Sequence, residues 1–523
     1  MGKECKLYVI DNGYLFPPSL ADFLGTEDEV HVFREVTEHL DISQLDSDFN
    51  SIGQHPYHPL MMLRLLMWGM ANRVVSTRRI EVLTHRDVSY IYLAGSQRPD
   101  YRTLARFRRR NTNEIKRLFK QTVLLCARLG MVNLGHLSLD GTKLKASTSK
   151  HKAMSYGRMK EDEKRLEREI DELMQQAEAA DSEEDRTFGK DNNDYNLPDE
   201  LQRREERLNK IRGLREELEQ EKREEQGLSD GEMPLIKDKE QRSFADRKAR
   251  MMLMKRGEFD YGYNAQACTE ESHGVIVAGD LSNEASDMGH LPGMVEEVKE
   301  LRQELGFSAE DEKETKISTD SGYFSAENIK TEGDGIELLI ASGREKKGEE
   351  KESNDNRVYS LKRSCYDKEE DVWRCPEGRL LRRETVQTDD RYSYVCPDCA
   401  GCKLRAHCLK PGEDRRTLVV EESQLLLGEM RARLKKPEKH AVYRKRKWIA
   451  EQPFGQIKEG MGFRGVTMRG DDYARGQWLF VCAVHNVMKA VRFIAGSRKS
   501  ARQSDLLRGK QPNYLENGDN GIT

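Results

Sequence analysis

Asp140 lies in LSLDGTKLKAS, Asp320 in TKISTDSGYFSAENI and Glu451 in YRKRKWIAEQPFGQIKEGMGFRG. The two aspartates each follow an apolar, strand-like run and precede a glycine or small-residue turn. The glutamate stands in a helical stretch crowded with arginine and lysine. Shared carboxylates can hold two divalent cations about 3.5–4 Å apart, which activate a water and stabilise a leaving oxygen at a phosphodiester. Oxygen ligands suit Mg²⁺ or Mn²⁺ rather than a thiophilic metal. The basic surroundings suit a polyanion that must reach that metal. Each acid alone reads equally as a solvated surface carboxylate, and Asp-Gly is also an ordinary turn signal; the triad rests on the three together.

A second set of residues could hold a different metal. Cys365, Cys375, Cys396, Cys399, Cys402 and Cys408 fall within 365–408, with the spacing C-x2-C-x2-C-x5-C in CPDCAGCKLRAHC. With RCPEG upstream this resembles a zinc ribbon or an iron–sulfur segment. Four thiolates suffice for one structural Zn²⁺; Cys375, Cys396 and Cys399 with Cys402 or Cys408 form the preferred set, with His407 as a substitute and free buried thiols as the bland reading. Cys5, Cys126, Cys268 and Cys482 read as isolated thiols.

Several elements must position these groups. Residues 54–130 read as helices: HPLMMLRLLMWGMANR is apolar around most of its circumference, a second helix starts at Ser76–Thr77, and Thr103 is a candidate N-cap. In the segment that follows, Leu104, Phe107, Ile115, Leu118 and Phe119 form an apolar stripe against Arg106, Arg108, Arg109 and Arg110, a DNA-contacting surface or a solvated basic face. VNLGHLSLDGTKLKAS alternates as a strand with Asp140 near its end. Residues 158–227 carry helically spaced Leu166, Ile170 and Leu173, then Leu201, Leu208, Ile211, Leu214 and Leu218. They predict a charged helical hairpin, serving as a spacer or a dimerisation element. A strand hairpin at 257–281, a helix from His290, and strand–turn–helix–strand around Asp320 complete a mixed α/β region. Helix is expected at 441–459 and 474–495, and a disordered tail from 496.

The chain's 523 residues allow several domains, and 34% are charged, with a net charge of only −4. That balance conceals acidic blocks at 160–227 and 349–371 and basic clusters at 102–120, 143–152, 403–416 and 431–447, and local sign matters more to a nucleic acid than the total. No run approaches the ~20 apolar residues of a membrane span, and MGKECKLYVIDNGYLFPPSL has neither a signal-peptide pattern nor the residue pattern for myristoylation. The expectation is a soluble cytoplasmic protein, nucleoid-associated when bound to DNA, with cysteines as thiols or metal ligands.

Taken together, the motifs resemble the bacterial insertion-sequence transposases of the DDE superfamily. HPLMMLRLLMWG and RPDYRTLARFR resemble an InsH-type N-terminal domain; LSLDGTKLKA, STDSGYFSAEN and EQPFGQIKEGMGFRG resemble the two aspartate motifs and the glutamate helix. ADRKARMMLMKRGEFDYGYNAQ and WLFVCAVHNVMK, with His485 and Asn486, resemble further blocks of the family. The resemblance implies a helical DNA-binding domain at 1–130 and an RNase H-like catalytic domain at 131–495, interrupted by the hairpin at 158–227 and a cysteine-rich insertion at 344–440, with a tail at 496–523. It implies catalytic Asp140, Asp320 and Glu451 holding Mg²⁺ or Mn²⁺, and Tyr443, Arg446 and Lys458 gripping phosphates. The family pattern is Tyr-x2-Arg-x3-Glu-x6-Lys; here four residues separate Arg446 from Glu451, a slip that turns the arginine by ~100° around a helix. Expected partners are transposon-end and target DNA and a second copy of the chain. A metal-dependent nuclease on the same fold, or an idle transposase-derived DNA-binding regulator, are the competing readings.

Overall fold

The computed structural model describes residues 19–45, 56–188, 199–229, 231–254, 257–307, 314–343, 364–387, 391–409 and 412–507. Six helices open the described chain: α1 (Glu29–Glu38), α2 (Pro59–Ala71), α3 (Thr77–Leu83), α4 (Val88–Leu93), α5 (Tyr101–Arg110) and α6 (Thr112–Arg128). Their starts are set by side chains that accept free backbone N–H groups. Asp28 caps α1 and Asp87 caps α4. Asp100, not the expected Thr103, caps α5; its carboxylate takes the N–H groups of Arg102 and Thr103, and the Thr103 hydroxyl. The apolar surface of α2 is buried from Leu60 to Met70, with Arg64 alone turned outward to Glu38.

Strand β1 (His136–Lys145) leads to a short ladder of β2 (Ala153–Ser155) and β3 (Gln241–Ser243), which roots the charged hairpin of α7 (Tyr156–Phe188) and α8 (Asp199–Glu225). The hairpin is antiparallel, since Glu163 pairs with Arg212 while Glu169 pairs with Arg204. Leu166, Ile170, Leu201, Leu208, Ile211 and Leu214 close a small core of its own. Next come β4 (Arg250–Leu253), β5 (Phe259–Glu270), β6 (Ile276–Ser282), α9 (Leu291–Glu304), β7 (Thr315–Thr319), α10 (Ala326–Ile329) and β8 (Ile336–Ile340). The main sheet runs β6–β5–β1–β7–β8, with β4 on the opening of β5. β5 is antiparallel to β1, whereas β7 and β8 continue parallel.

The cysteine-rich segment is a folded five-stranded antiparallel sheet of β9 (Cys365–Asp367), β10 (Val372–Arg374), β11 (Leu380–Gln387), β12 (Arg391–Val395) and β13 (Thr417–Glu421), with α11 (Arg405–Cys408) between the last two strands. Trp373, Tyr366 and Tyr394 fill its core. Helix α12 (Glu422–Arg433) carries the chain back, and the ion pairs Arg433–Glu332 and Lys439–Glu337 fasten it and α13 (Pro437–Arg444) to the β8 edge. Helix α14 (Arg446–Gly455) ends in a π-helical turn, Gln456–Gly460.

The last helix, α15 (Asp471–Leu507), corrects one expectation: residues 496–507, read as the start of a disordered tail, continue it, while 508–523 lie outside the described residues. By length and composition Asp471–Arg498 would suffice to cross a membrane, and here its apolar side chains lie in the core. Trp478 donates to the Gln266 carbonyl at 3.0 Å, and Asn486 makes two bonds to the Ile276 backbone. Its neighbour His485 reaches Gln456 in the π-turn at 2.9 Å. A Cβ on Gly476 would stand 2.3 Å from Thr112 of α6, so a glycine is required for this approach. One apolar core therefore joins α1, α2, α6, the sheet and α15.

Candidate active site

Strand β1 pairs in parallel with β7 through His136↔Lys316, Leu137↔Ile317 and Ser138↔Ser318. Carried two residues further, that register sets Asp140 opposite Asp320. Asp320 begins the turn after β7, where its carboxylate accepts the Gly322 N–H at 2.8 Å. Parallel strands present their carboxyl ends at one edge, so both acids reach the same rim of the sheet. Asp140 lies within the strand rather than at its end, and its carboxylate accepts the Gly141 N–H at 2.9 Å.

Helix α14 covers the β1 face that carries Ser138, Asp140 and Thr142. Ser138 Oγ donates to the Arg446 carbonyl at 3.3 Å, and Lys458 Nζ donates to Thr142 Oγ1 and the Lys143 carbonyl. Arg446 faces the strand: its Nη1 lies 3.6 Å from Asp140 Oδ2, buried and without a hydrogen-bond partner. Burial pushes the Asp140 carboxyl up to about 6; Arg446 opposes that rise, and Asp320 and Asp287 add to it. Tyr443 joins the group. Burial raises its hydroxyl, Arg446, which is hydrogen-bonded to it, acts the other way, and Asp320 and Asp140 raise it further.

Glu451 is not drawn into this group. Five residues beyond Arg446, it points ~140° away around the helix. Its side chain is 65% exposed and faces Lys447 at 4.0 Å, beside the exposed ring of Trp448. Among the described residues no three Asp, Glu, His or Cys side chains stand close enough to share a metal ion as they are. A concavity of about 670 Å³ at the root of the charged hairpin is lined by none of these acids.

The sequence reading missed a polar network on the other face of the strand. Asn264 and Gln266, both fully buried on β5, donate to Asp287 Oδ1 at 2.7 and 3.0 Å, and Lys143 Nζ lies 3.2 Å from the same oxygen. The Tyr323 hydroxyl donates to Gln266 Oε1. Burial raises that hydroxyl, and Asp287, Asp140 and Asp320 raise it further. A Cβ on Gly141 would stand 2.6 Å from Gln266 Nε2 and 2.7 Å from Asp287 Oδ1. Two amides at alternate positions of DYGYNAQA were the available signal, because buried amides demand partners.

Arg108 is a correction. It lies on the inward side of α5, against Met468, Gln477 and Phe480, with its Nε buried and unpartnered, so it does not face DNA. Burial lowers its guanidinium. Leu104 and Phe107 define the face it shares. Arg106, Arg109 and Arg110 remain exposed, Arg109 lying over the Tyr473 ring of α15.

Cys375, Cys396, Cys399, Cys402 and Cys408 line a single cavity of about 30 Å³ in the second sheet. Burial pushes the Cys396 thiol up to about 12, reinforced by Cys399 and Cys375. Cys365 stands apart, its sulfur accepting from Lys435 at 2.8 Å. Cys126, Cys268 and Cys482 are buried thiols; Cys5 and the His407 side chain lie outside the described residues.

Two family models match the chain. Residues 374–491 match the transposase DDE domain, and residues 22–110 match a transposase domain, DUF772. The first match takes in β11 to β13 of the cysteine sheet, Tyr443, Arg446, Glu451 and Lys458; Asp140 and Asp320 lie outside both, and their place in the site rests on the main sheet. No curated protein and no solved structure matches the chain. DDE transposases are enzymes that act on DNA and generally use a divalent metal such as Mg²⁺. A helical amino-terminal part and a carboxy-terminal part of the chain are thus each similar to transposase domains, on either side of a mixed helix-and-sheet region.

Proposed function

We propose that the protein cleaves phosphodiesters at transposon ends in a divalent-metal-dependent reaction and joins the freed 3′-hydroxyl to target DNA. The observation that carries this is the convergence of Asp140 and Asp320 on one rim of two parallel strands, beneath a helix that opens on Arg446 and Lys447. The two carboxylates fit a hard cation. They offer oxygen alone, and the Asp140 carboxyl is raised chiefly by burial, which Arg446 offsets only in part. Magnesium or manganese bound there would supply an activated water or 3′-hydroxyl and stabilise the departing oxygen. Asp140 and Asp320 hold that position; Glu451 would join them only through a rotation of α14 on DNA binding. Arg446 and Tyr443 beside the acids, with Lys458 on the same strand face, take the flanking phosphates. Arg106, Arg109 and Arg110 extend the contact along the duplex.

In the second sheet, the five cysteines around one cavity support a structural Zn²⁺ held by Cys375, Cys396, Cys399 and Cys402 or Cys408. Elemental analysis of protein purified without chelator should return about one zinc per chain; neither zinc nor iron would leave free thiols. The protein acts as a homodimer or larger assembly in the cytoplasm, on the nucleoid, with the α7–α8 hairpin as a candidate contact. Incubation with Mg²⁺, end-bearing linear DNA and supercoiled target decides the reaction. Joined products are expected; cleavage alone means a nuclease, and binding without cleavage means a regulator.

A further inference from the structure

We propose that Asp287 is a positioning residue that holds the Lys143 ammonium away from Asp140 and Asp320, keeping those carboxylates open to a divalent cation. The inference rests on the reading that these two aspartates hold the metal. Lys143 is three residues beyond Asp140 on β1, on the opposite face of the strand. Its ammonium, on a long flexible stem, would itself compete with a cation for nearby carboxylates. Instead it lies 3.2 Å from Asp287 Oδ1, with its side chain only 20% exposed.

The acceptor is built to stay where it is. Asn264 Nδ2 and Gln266 Nε2 converge on the same oxygen, and both amides are fully buried. The Asn264 amide is turned so that its nitrogen serves Asp287, which leaves its Oδ1 buried without a partner. Such an orphan costs free energy and is tolerated where the other end of the amide serves a charged acceptor. The other Asp287 oxygen faces the Asp320 turn: a Cβ on Gly322 would stand 3.5 Å from Asp287 Oδ2 and 3.0 Å from Asp320 Oδ1. Asp287 thus ties β1, β5 and the turn after β7 together while occupying the Lys143 ammonium.

The test is Mn²⁺ binding to the full-length protein, followed by titration calorimetry without DNA. Asp287→Asn should weaken binding about tenfold, because the released ammonium opposes the cation. Adding Lys143→Met should restore affinity to within about threefold of the parent, since the competitor is gone. Lys143→Met alone should leave binding within about threefold of the parent, because the ammonium is already held aside; a tenfold or larger gain in that variant overturns the proposal, and this decides the matter if Asp287→Asn does not fold by circular dichroism. Unchanged binding in Asp287→Asn, or a double variant as weak as Asp287→Asn, overturns the proposal; the second result would make Asp287 a ligand or a general scaffold. Asp140→Asn is the control: if it leaves Mn²⁺ binding intact, the metal site is misplaced and the inference falls with it.

Discussion

Asp140 and Asp320 are fixed by paired strands, and their surroundings are completed by α13, α14 and the Asp287 network. Glu451 is fixed only to a helix, and that helix meets β1 through Ser138, Thr142, Arg446 and Lys458 rather than through the glutamate. The pair is buried enough for Asp140 to hold its proton up to about pH 6. The glutamate is as exposed as the lysine-rich surface around it. On the proposed function, two of the three acids would stand together before substrate arrives, and the third would be exposed on a separate face of α14.

The largest expected effect separates the two halves. Asp140→Asn and Asp320→Asn should each reduce end cleavage about a thousandfold or more and abolish Mn²⁺ binding without DNA. Glu451→Gln should reduce cleavage comparably but weaken DNA-free Mn²⁺ binding by less than about tenfold, as judged by calorimetry. Equal loss of Mn²⁺ binding in all three variants would end the distinction. Gly141→Ala sharpens it from within: the added methyl meets Gln266 and Asp287, so the variant should lose about 1–3 kcal/mol in denaturant melts and bind Mn²⁺ poorly, although no ligand has changed.

The metal-free pair should also strain the fold. Because the Asp140 carboxyl sits above its unfolded value, its contribution to stability is complete below pH ~4 and disappears as pH rises through about 6. Asp140→Asn removes this dependence, and at pH 8 without metal it should be about 2 kcal/mol more stable than the parent. A destabilised variant would mean that Arg446 already compensates the charge. The smallest effect on the pair should come from the second sheet. Zinc removal should raise hydrogen exchange across 365–421 while changing Mn²⁺ affinity at Asp140 and Asp320 by less than about twofold, since the two sites use different donor chemistry.

The strands bearing Asp140 and Asp320 were readable because apolar alternation and small-residue turns are local signals, as were the α7–α8 seams and the β5–β6 hairpin. Register was not local: that residue 140 stands opposite 320 depends on which strands pair. Asp287 escaped notice because its role exists only where β1, β5 and a loop converge, and its local sequence, SNEASDMGHLPG, reads as a helix start. Arg108 was misread because four neighbouring arginines cannot all face outward on a helix whose other side is buried. The residues from 496 looked disordered by composition, but α15 enters them already anchored, and propagation of a helix is easier than its nucleation. Neither the place of Arg446 beside Asp140 nor the exposure of Glu451 followed from the spacing.

Helix α15 packs on α1, α2 and α6 as well as on β6, so the first layer of the molecule to be synthesised is closed by one of the last. The amino-terminal helices cannot bury their apolar faces while the rest of the chain is still on the ribosome. A gene copy truncated before α15 would not leave behind a free DNA-binding fragment to compete for transposon ends. It would leave a chain with exposed core, open to aggregation and proteolysis.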